Sequence, residues 1–178
     1  MIHGPEKDVN EVIPKLWLGN KKAAYNRQFI ETHKIKNILT IMDNFDDNYK
    51  YNDIIYLVIP IRDEQVCERD MIGVFDTATS FIFNSLKNNE NILIHCKKGH
   101  HRSAAIVAAF LIKYLKVDYY SSLAYINKLR PYALVRKTCM SDNLFKYYLH
   151  INNTKSCNKT CGIHNRIYAC KCTDANHL

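Results

Sequence analysis

Apolar and polar positions fall into blocks along the chain, and each block predicts an element. Val12 to Asn20 reads as a short edge strand, because Pro14 lacks a ladder donor and is excluded from a central one. Asn20 is placed to cap a helix to about His33, with Ala23, Ala24, Phe29 and Ile30 inward. Ile38–Met42 and Ile54–Ile61 are apolar runs that predict two buried strands, separated by an Asp- and Asn-rich loop over 43–53. Near-helical spacing of Ile72, Phe75, Phe81, Ile82 and Leu86 predicts a helix from about Arg69 to Asn88. Asn91–His95 is a short apolar strand, after which Ser103 opens an apolar helix from Ala104 to about Leu115. Asp118 is a good N-cap for a helix to about Leu129, limited by Pro131, and a last helix fits Ser141 to about Ile151. Strands alternating with helices, then helices alone, imply an α/β layer fold: a short, mostly parallel sheet flanked by helices. Residues 8–152 form the domain this allows, and residues 153–178 lose the periodicity and read as a flexible Cys-, His- and Asn-rich tail.

Composition narrows the class. The 178 residues are 47% hydrophobic and 24% charged, the balance of a globular chain with room for one ordinary domain. The longest fully apolar run, Ala104 to Ile112, is well short of the roughly 18 residues a membrane span needs. The first residues contain no apolar signal core, residue 2 is Ile rather than Gly, and the last four are not a prenylation box. The expected location is therefore cytoplasmic, with thiols reduced. Lys+Arg minus Asp+Glu is 25 − 17 = +8. Such a surface favours anionic partners such as phosphates, RNA, acidic lipid or acidic protein segments; a generally solvated basic surface is the plainer alternative.

The chemistry concentrates in Ile94-His95-Cys96-Lys97-Lys98-Gly99-His100-His101-Arg102-Ser103. A thiol here sits between a strand and a helix N-terminus, where unpaired N–H groups and the helix dipole favour an anion. Arg102, Lys97 and Lys98 add positive charge, and both effects push a thiol towards thiolate. The same amides can cradle a phosphate, and Arg102 can grip two of its oxygens. An anion cradle with a nucleophile at its floor points to phosphoryl transfer to sulfur.

The spacing His95-Cys96-x2-Gly99-x2-Arg102-Ser103 resembles the cysteine-dependent protein phosphatases, specifically the dual-specificity branch with its phosphotyrosine-phosphatase-like fold. The likeness extends to Ile13…Leu16-Trp17-Leu18-Gly19, to Tyr56–Asp63, to the helix after the loop and to Leu129-Arg130-Pro131, covering about residues 8–150. It implies a phosphorylated protein as substrate, hydrolysed on tyrosine and serine/threonine through a phosphocysteine, with no metal or cofactor. Cys96 would be the nucleophile and Asp63 the general acid, with Glu64 and Asp70 as rivals. Arg102 and the loop from Lys97 through Lys98, Gly99, His100 and His101 to Ser103 would hold phosphate, and the Ser103 hydroxyl would help the thiolate leave. His95 would orient the loop. Arg130 matches a residue that binds a second substrate phosphate; the alternative is a salt bridge at a helix end.

The sequence departs from the pattern in places. Where the family commonly has Ser before the Arg, this chain has His101, preceded by His100. With Lys97 and Lys98 this makes the loop similar to phosphatases of phosphoinositides, inositol pyrophosphates and RNA 5′-triphosphates. An anionic lipid or RNA is therefore an alternative substrate, unless those side chains only tune Cys96. The family Asn before the last helix is matched uncertainly by Asp142-Asn143. Cys67 and Cys139 read as spectators, with Cys67 also weighed as a redox partner of Cys96. In the tail, Cys157-x3-Cys161-x2-His164 with Cys170, Cys172 and His177 offers zinc-like spacing, but a loosely docked tail without metal is preferred.

Overall fold

The computed structural model describes residues 7–67, 69–135 and 138–152. The expected tail and its zinc alternative lie outside the described residues. Two short strands, β1 (Val9–Ile13) and β2 (Leu16–Gly19), open the chain as an antiparallel hairpin. This corrects the single edge strand expected there. Pro14 and Lys15 form the turn, with Lys15 in the left-handed region at φ 73° and its N–H donating to Glu11 Oε1 at 3.0 Å.

The expected first helix is also two pieces, α1 (Lys21–Ala24) and α2 (Arg27–Thr32). Asn20 accepts from the Ala23 N–H, and Asn26 then accepts from the Phe29 N–H at 3.0 Å, starting a second helix. The strands β3 (Ile35–Ile41), β4 (Ile55–Ile59) and β5 (Asn91–His95) complete a five-stranded sheet in the order β1-β2-β5-β3-β4, parallel except for the opening hairpin. Four longer helices follow: α3 (Ile72–Lys87), α4 (Arg102–Leu115), α5 (Tyr119–Leu129) and α6 (Cys139–Ile151).

Side-chain alternation sorts the sheet residues onto two faces. Leu16, Leu18, Leu39, Ile41, Ile92 and Ile94 join the large core with α3, α4, α5 and α6. Trp17, Ile38 and Leu93 face the other way and pack with Ala24, Phe29 and Ile30 of α1 and α2. The outer strand β4 is half-buried rather than buried as expected, and Ile55 is 59% exposed. Its place at the end of the sheet leaves one flank without a neighbouring strand.

α4 is buried through almost its whole length, from Arg102 to Ile112, because α3, α5 and α6 surround it. An Asp76 carboxylate ties three of these helices, accepting from Lys113 Nζ at 2.8 Å and Tyr147 Oη at 2.7 Å. The Lys113 hydrogen bond holds Asp76 below the ordinary carboxylate range. The sheet thus delivers the C-terminal end of β5, flanked by β2 and β3, to the N-terminus of a helix that cannot shift.

Candidate active site

In open parallel sheets, ligands bind beyond the carboxyl ends of the strands. β5 ends there at His95, and Cys96 follows, 3% exposed. In the turn from Cys96 to α4, the carbonyls from Lys97 to His101 are engaged. Lys97 O accepts from the Lys21 N–H at 3.3 Å, His100 O from the Leu134 N–H at 3.1 Å, and His101 O from the Ala105 N–H at 2.9 Å. Lys98 O and Gly99 O accept from the Arg130 guanidinium at 3.4 and 3.1 Å. A trans peptide points its N–H opposite its C=O, so tying the carbonyls outward turns the amides inward. The Gly99 N–H accordingly reaches Cys96 Sγ at 3.2 Å. Gly99 adopts φ +75°, and a Cβ there would lie 2.6 Å from Gly19 O. Only glycine meets both demands.

The start of α4 is left open. Its N-cap, His101, makes no side-chain cap and the first turn carries no acidic residue. α5 and α6, by contrast, are capped by Asp118 and Thr138. The first N–H groups of an α-helix have no partner within it, which makes such an uncapped start suited to an anion. From inside α4, the Ser103 hydroxyl donates to Cys96 Sγ at 3.2 Å. Behind the loop, His95 is fully buried with Nε2 2.7 Å from Thr40 Oγ1. Burial pushes the imidazole down to about 4, so it is neutral at neutral pH and acts as a fixed polar strut.

Arg102 links the loop to the segment after β4. Its side chain is buried, Nη1 donates to Ile61 O at 2.7 Å, and Nε lies 3.0 Å from Asp63 Oδ1. Asp63 is about half exposed at the cavity mouth, and His101 Nδ1 stands 3.9 Å from its other oxygen. The cavity, about 630 Å³, is lined by Asp43, Asn44, Arg62, Asp63, Cys96, Lys97, Lys98, His100, His101 and Arg102. A nucleophile, an anion cradle, a guanidinium and a carboxylate therefore share one basin. That set can accept a phosphoryl group on sulfur and protonate the departing oxygen.

The structure thus brings together Cys96, Asp63, Arg102, Ser103 and the expected loop residues. It corrects Arg130 as a contact for a second phosphate. Its side chain is fully buried behind the loop, donating to Gly99 O, Lys98 O, Lys7 O and Asn10 Oδ1. It shapes the cradle from outside. Of the rivals to Asp63, Asp70 accepts from the Ile72 N–H at 3.0 Å just before α3, outside the cavity lining. The side chain of Glu64 lies outside the described residues.

Three features were missed or misread in the sequence. Asp43 and Asn44 reach the cavity from the end of β3, with Asp43 paired to Arg62 at 2.8 Å. Asn143 of α6 donates to Val66 O at 2.9 Å, so it supports the Asp63 segment rather than the Cys96 loop. Cys67 and Cys139 are not spectators and Cys67 is not paired with Cys96: they form a disulfide, and Cys96 is a free thiol.

Fold and site define an α/β domain with a buried free cysteine and a basic cavity at the carboxyl end of a mostly parallel sheet. A family model for the dual specificity phosphatase catalytic domain matches residues 16–149, and the chain belongs to that family. Dual specificity protein phosphatase 1B of Arabidopsis thaliana is 33% identical over 60% of this chain and 62% of its own length. Dual specificity protein phosphatase 22-B of Danio rerio is 30% identical over 70% of this chain and 66% of its own. The chain thus spans less than two thirds of the length of these relatives. Among solved structures, that of DUSP15 superposes with a TM-score of 0.72 at 27% identity, covering 79% of this chain and 86% of that one.

Proposed function

We propose that the chain hydrolyses phosphate monoesters on protein side chains, phosphotyrosine and phosphoserine/threonine, through a phosphocysteine on Cys96. The observation that carries this is the Cys96 sulfur at the floor of a loop whose carbonyls from Lys97 to His101 are tied, with Arg102 and Asp63 alongside.

In the first step Cys96 Sγ attacks phosphorus, an S–P bond forms and the ester P–O bond breaks. The inward amides and Arg102 stabilise the three equatorial oxygens, whose charge is spread in the transition state. Asp63 gives its proton to the leaving oxygen. In the second step Asp63 takes a proton from water as the water attacks phosphorus. The thiolate then leaves, stabilised by the Ser103 hydroxyl and the Gly99 N–H. His95, neutral and buried, holds the strand end in place and takes no proton.

Phosphate release from a phosphotyrosine and a phosphothreonine peptide, by wild type and Cys96→Ser, tests the reading. Turnover is expected to vanish in the variant, and an acid quench of wild type should trap a phosphorylated thiol. Turnover persisting in Cys96→Ser would overturn it.

One observation favours a second reading: Lys97, Lys98, His100 and His101 all line the cavity beside Arg62 and Arg102. This suits a polyanion such as a phosphoinositide, an inositol pyrophosphate or an RNA 5′-triphosphate. Silence on peptides with fast, salt-sensitive turnover of one of these would put that reading first. Residues 8–152 would be the catalytic unit. No helix among the described residues is long and apolar enough to cross a membrane, and the cytoplasmic placement remains part of this proposal.

A further inference from the structure

The Cys67–Cys139 disulfide crosses 72 positions of sequence to join the segment carrying Asp63 to the first residue of α6. Cys67 ends the 3-10 turn Glu64–Cys67 that directly follows Asp63. The segment has further ties, among them the Arg62–Asp43 pair at 2.8 Å. Ile61 O accepts from Arg102, Val66 is buried in the main core, and Val66 O accepts from Asn143. Asp63 itself meets Arg102 at 3.0 Å and His101 at 3.9 Å.

An arriving phosphate competes for the Arg102 guanidinium, because a dianion outbids a single carboxylate for it. Once Arg102 turns to substrate, the position of Asp63 depends on the backbone anchors further along: Val66, Asn143 and the bridge. The bridge is the covalent one, and it is reachable. Cys67 is exposed and Cys139 half-buried. The thiolate of a small thiol can attack an exposed disulfide sulfur through a mixed disulfide.

We infer that Cys67 and Cys139 form a reversible latch that holds the Asp63 segment for proton donation, so that turnover of esters with poor leaving groups follows the thiol/disulfide balance. The inference rests on the phosphatase reading above. The redox step is an exchange with a low-molecular-weight disulfide. Cys67–SH and Cys139–SH give up two protons and two electrons, the Cys67–Cys139 bond forms, and the small disulfide takes them up and is released as two thiols. Latch opening is the reverse. Cys96 takes no part.

A leaving group that needs a proton reads the state of Asp63, whereas an activated aryl phosphate departs without one. The test uses the full chain in glutathione buffers of graded oxidised-to-reduced ratio, with Cys96 titrated in each as free thiolate. Thiol trapping and mass spectrometry report the Cys67–Cys139 bond. Opening it is expected to lower kcat on a phosphothreonine peptide 5- to 10-fold, with less than a 2-fold change on p-nitrophenyl phosphate. The double variant Cys67→Ser/Cys139→Ser should match the reduced wild type in every buffer. Equal responses of the two substrates, or a redox response that survives in the double variant, would overturn the latch.

Amide exchange over residues 63–67 gives a readout independent of catalysis. It should quicken when the wild-type bridge opens and be buffer-independent in the double variant. Unchanged exchange would overturn the latch. Absence of turnover on every ester, with the exchange response intact, would instead remove the phosphatase reading.

Discussion

The loop after β5 and the segment after β4 face each other across the same cavity, and they are held in different ways. The Cys96 loop is fastened at the five carbonyls from Lys97 to His101, by α1, by Arg130, by Leu134 and by α4 itself. The Asp63 segment is fastened at its ends, at Ile61 and at Val66–Cys67, while Asp63 between them is about half exposed. The nucleophile must meet a charge that develops at one place, so donors fixed in advance cost no reorganisation during the reaction. The acid must meet leaving groups of different shape, and a carboxylate borne on a short turn can serve several.

Gly99→Ala would break the first half of this comparison most severely. The added methyl has no room against Gly19 O, and φ +75° is strained for alanine. The inward amides would be displaced, and kcat/KM should fall on all substrates alike by about 10²–10³-fold, on the scale of losing oxyanion donors. Steady-state kinetics on a peptide and on p-nitrophenyl phosphate check it. A loss confined to one substrate would contradict a shared cradle.

Asp63→Asn probes the other half. It should lower kcat on a phosphothreonine peptide by about 10²-fold, within the range of general acid catalysis, and far less on p-nitrophenyl phosphate. Substrate binding should persist, and a similar loss on both substrates would show that Asp63 does not protonate the leaving group.

Arg130→Met separates positioning from binding. The arginine is buried and its partners include two loop carbonyls, so the variant should lose about 10-fold in kcat on singly and doubly phosphorylated peptides equally. A selective loss on doubly phosphorylated peptides would return Arg130 to a substrate-contacting role.

A separate expected effect is on stability with pH. His95 is held near 4 in the folded protein by burial, against 6.5 unperturbed, so only the unfolded chain binds its proton between those values. Stability should therefore fall as pH drops from about 6.5 to 4, by up to roughly 3 kcal/mol from this group, and level off below. Urea midpoints of wild type and His95→Gln across that window check it. The variant should lack this slope.

Much of the fold was legible because it is local. Leu16/Leu18 against Trp17, and Ile92/Ile94 against Leu93, alternate with the strand period and were sorted onto two faces as that period requires. The cap at Asp118 and the start of α4 fell within one or two residues of expectation. The two misread elements failed for equally local reasons. Lys15 takes a left-handed turn that a strand pattern does not announce, and Asn26 restarts a helix that apolar spacing alone would continue.

The candidate site divides along the same line. The Cys96–Ser103 loop with its strand before and helix after was readable along the chain, and Asp63 was reached through the family likeness of Tyr56–Asp63, because each is a short-range pattern of residue types. Only the tertiary structure decided what Arg130, Asn143, Asp43 and the Cys67–Cys139 pair do. Their partners lie 31, 77, 19 and 72 positions away, and such distant contacts depend on how sheet and helices pack. An arginine near a phosphate loop looks the same in sequence whether it faces substrate or braces the loop from behind. The packing of the segment after α5 against that loop buried this one, which the residue pattern alone does not reveal.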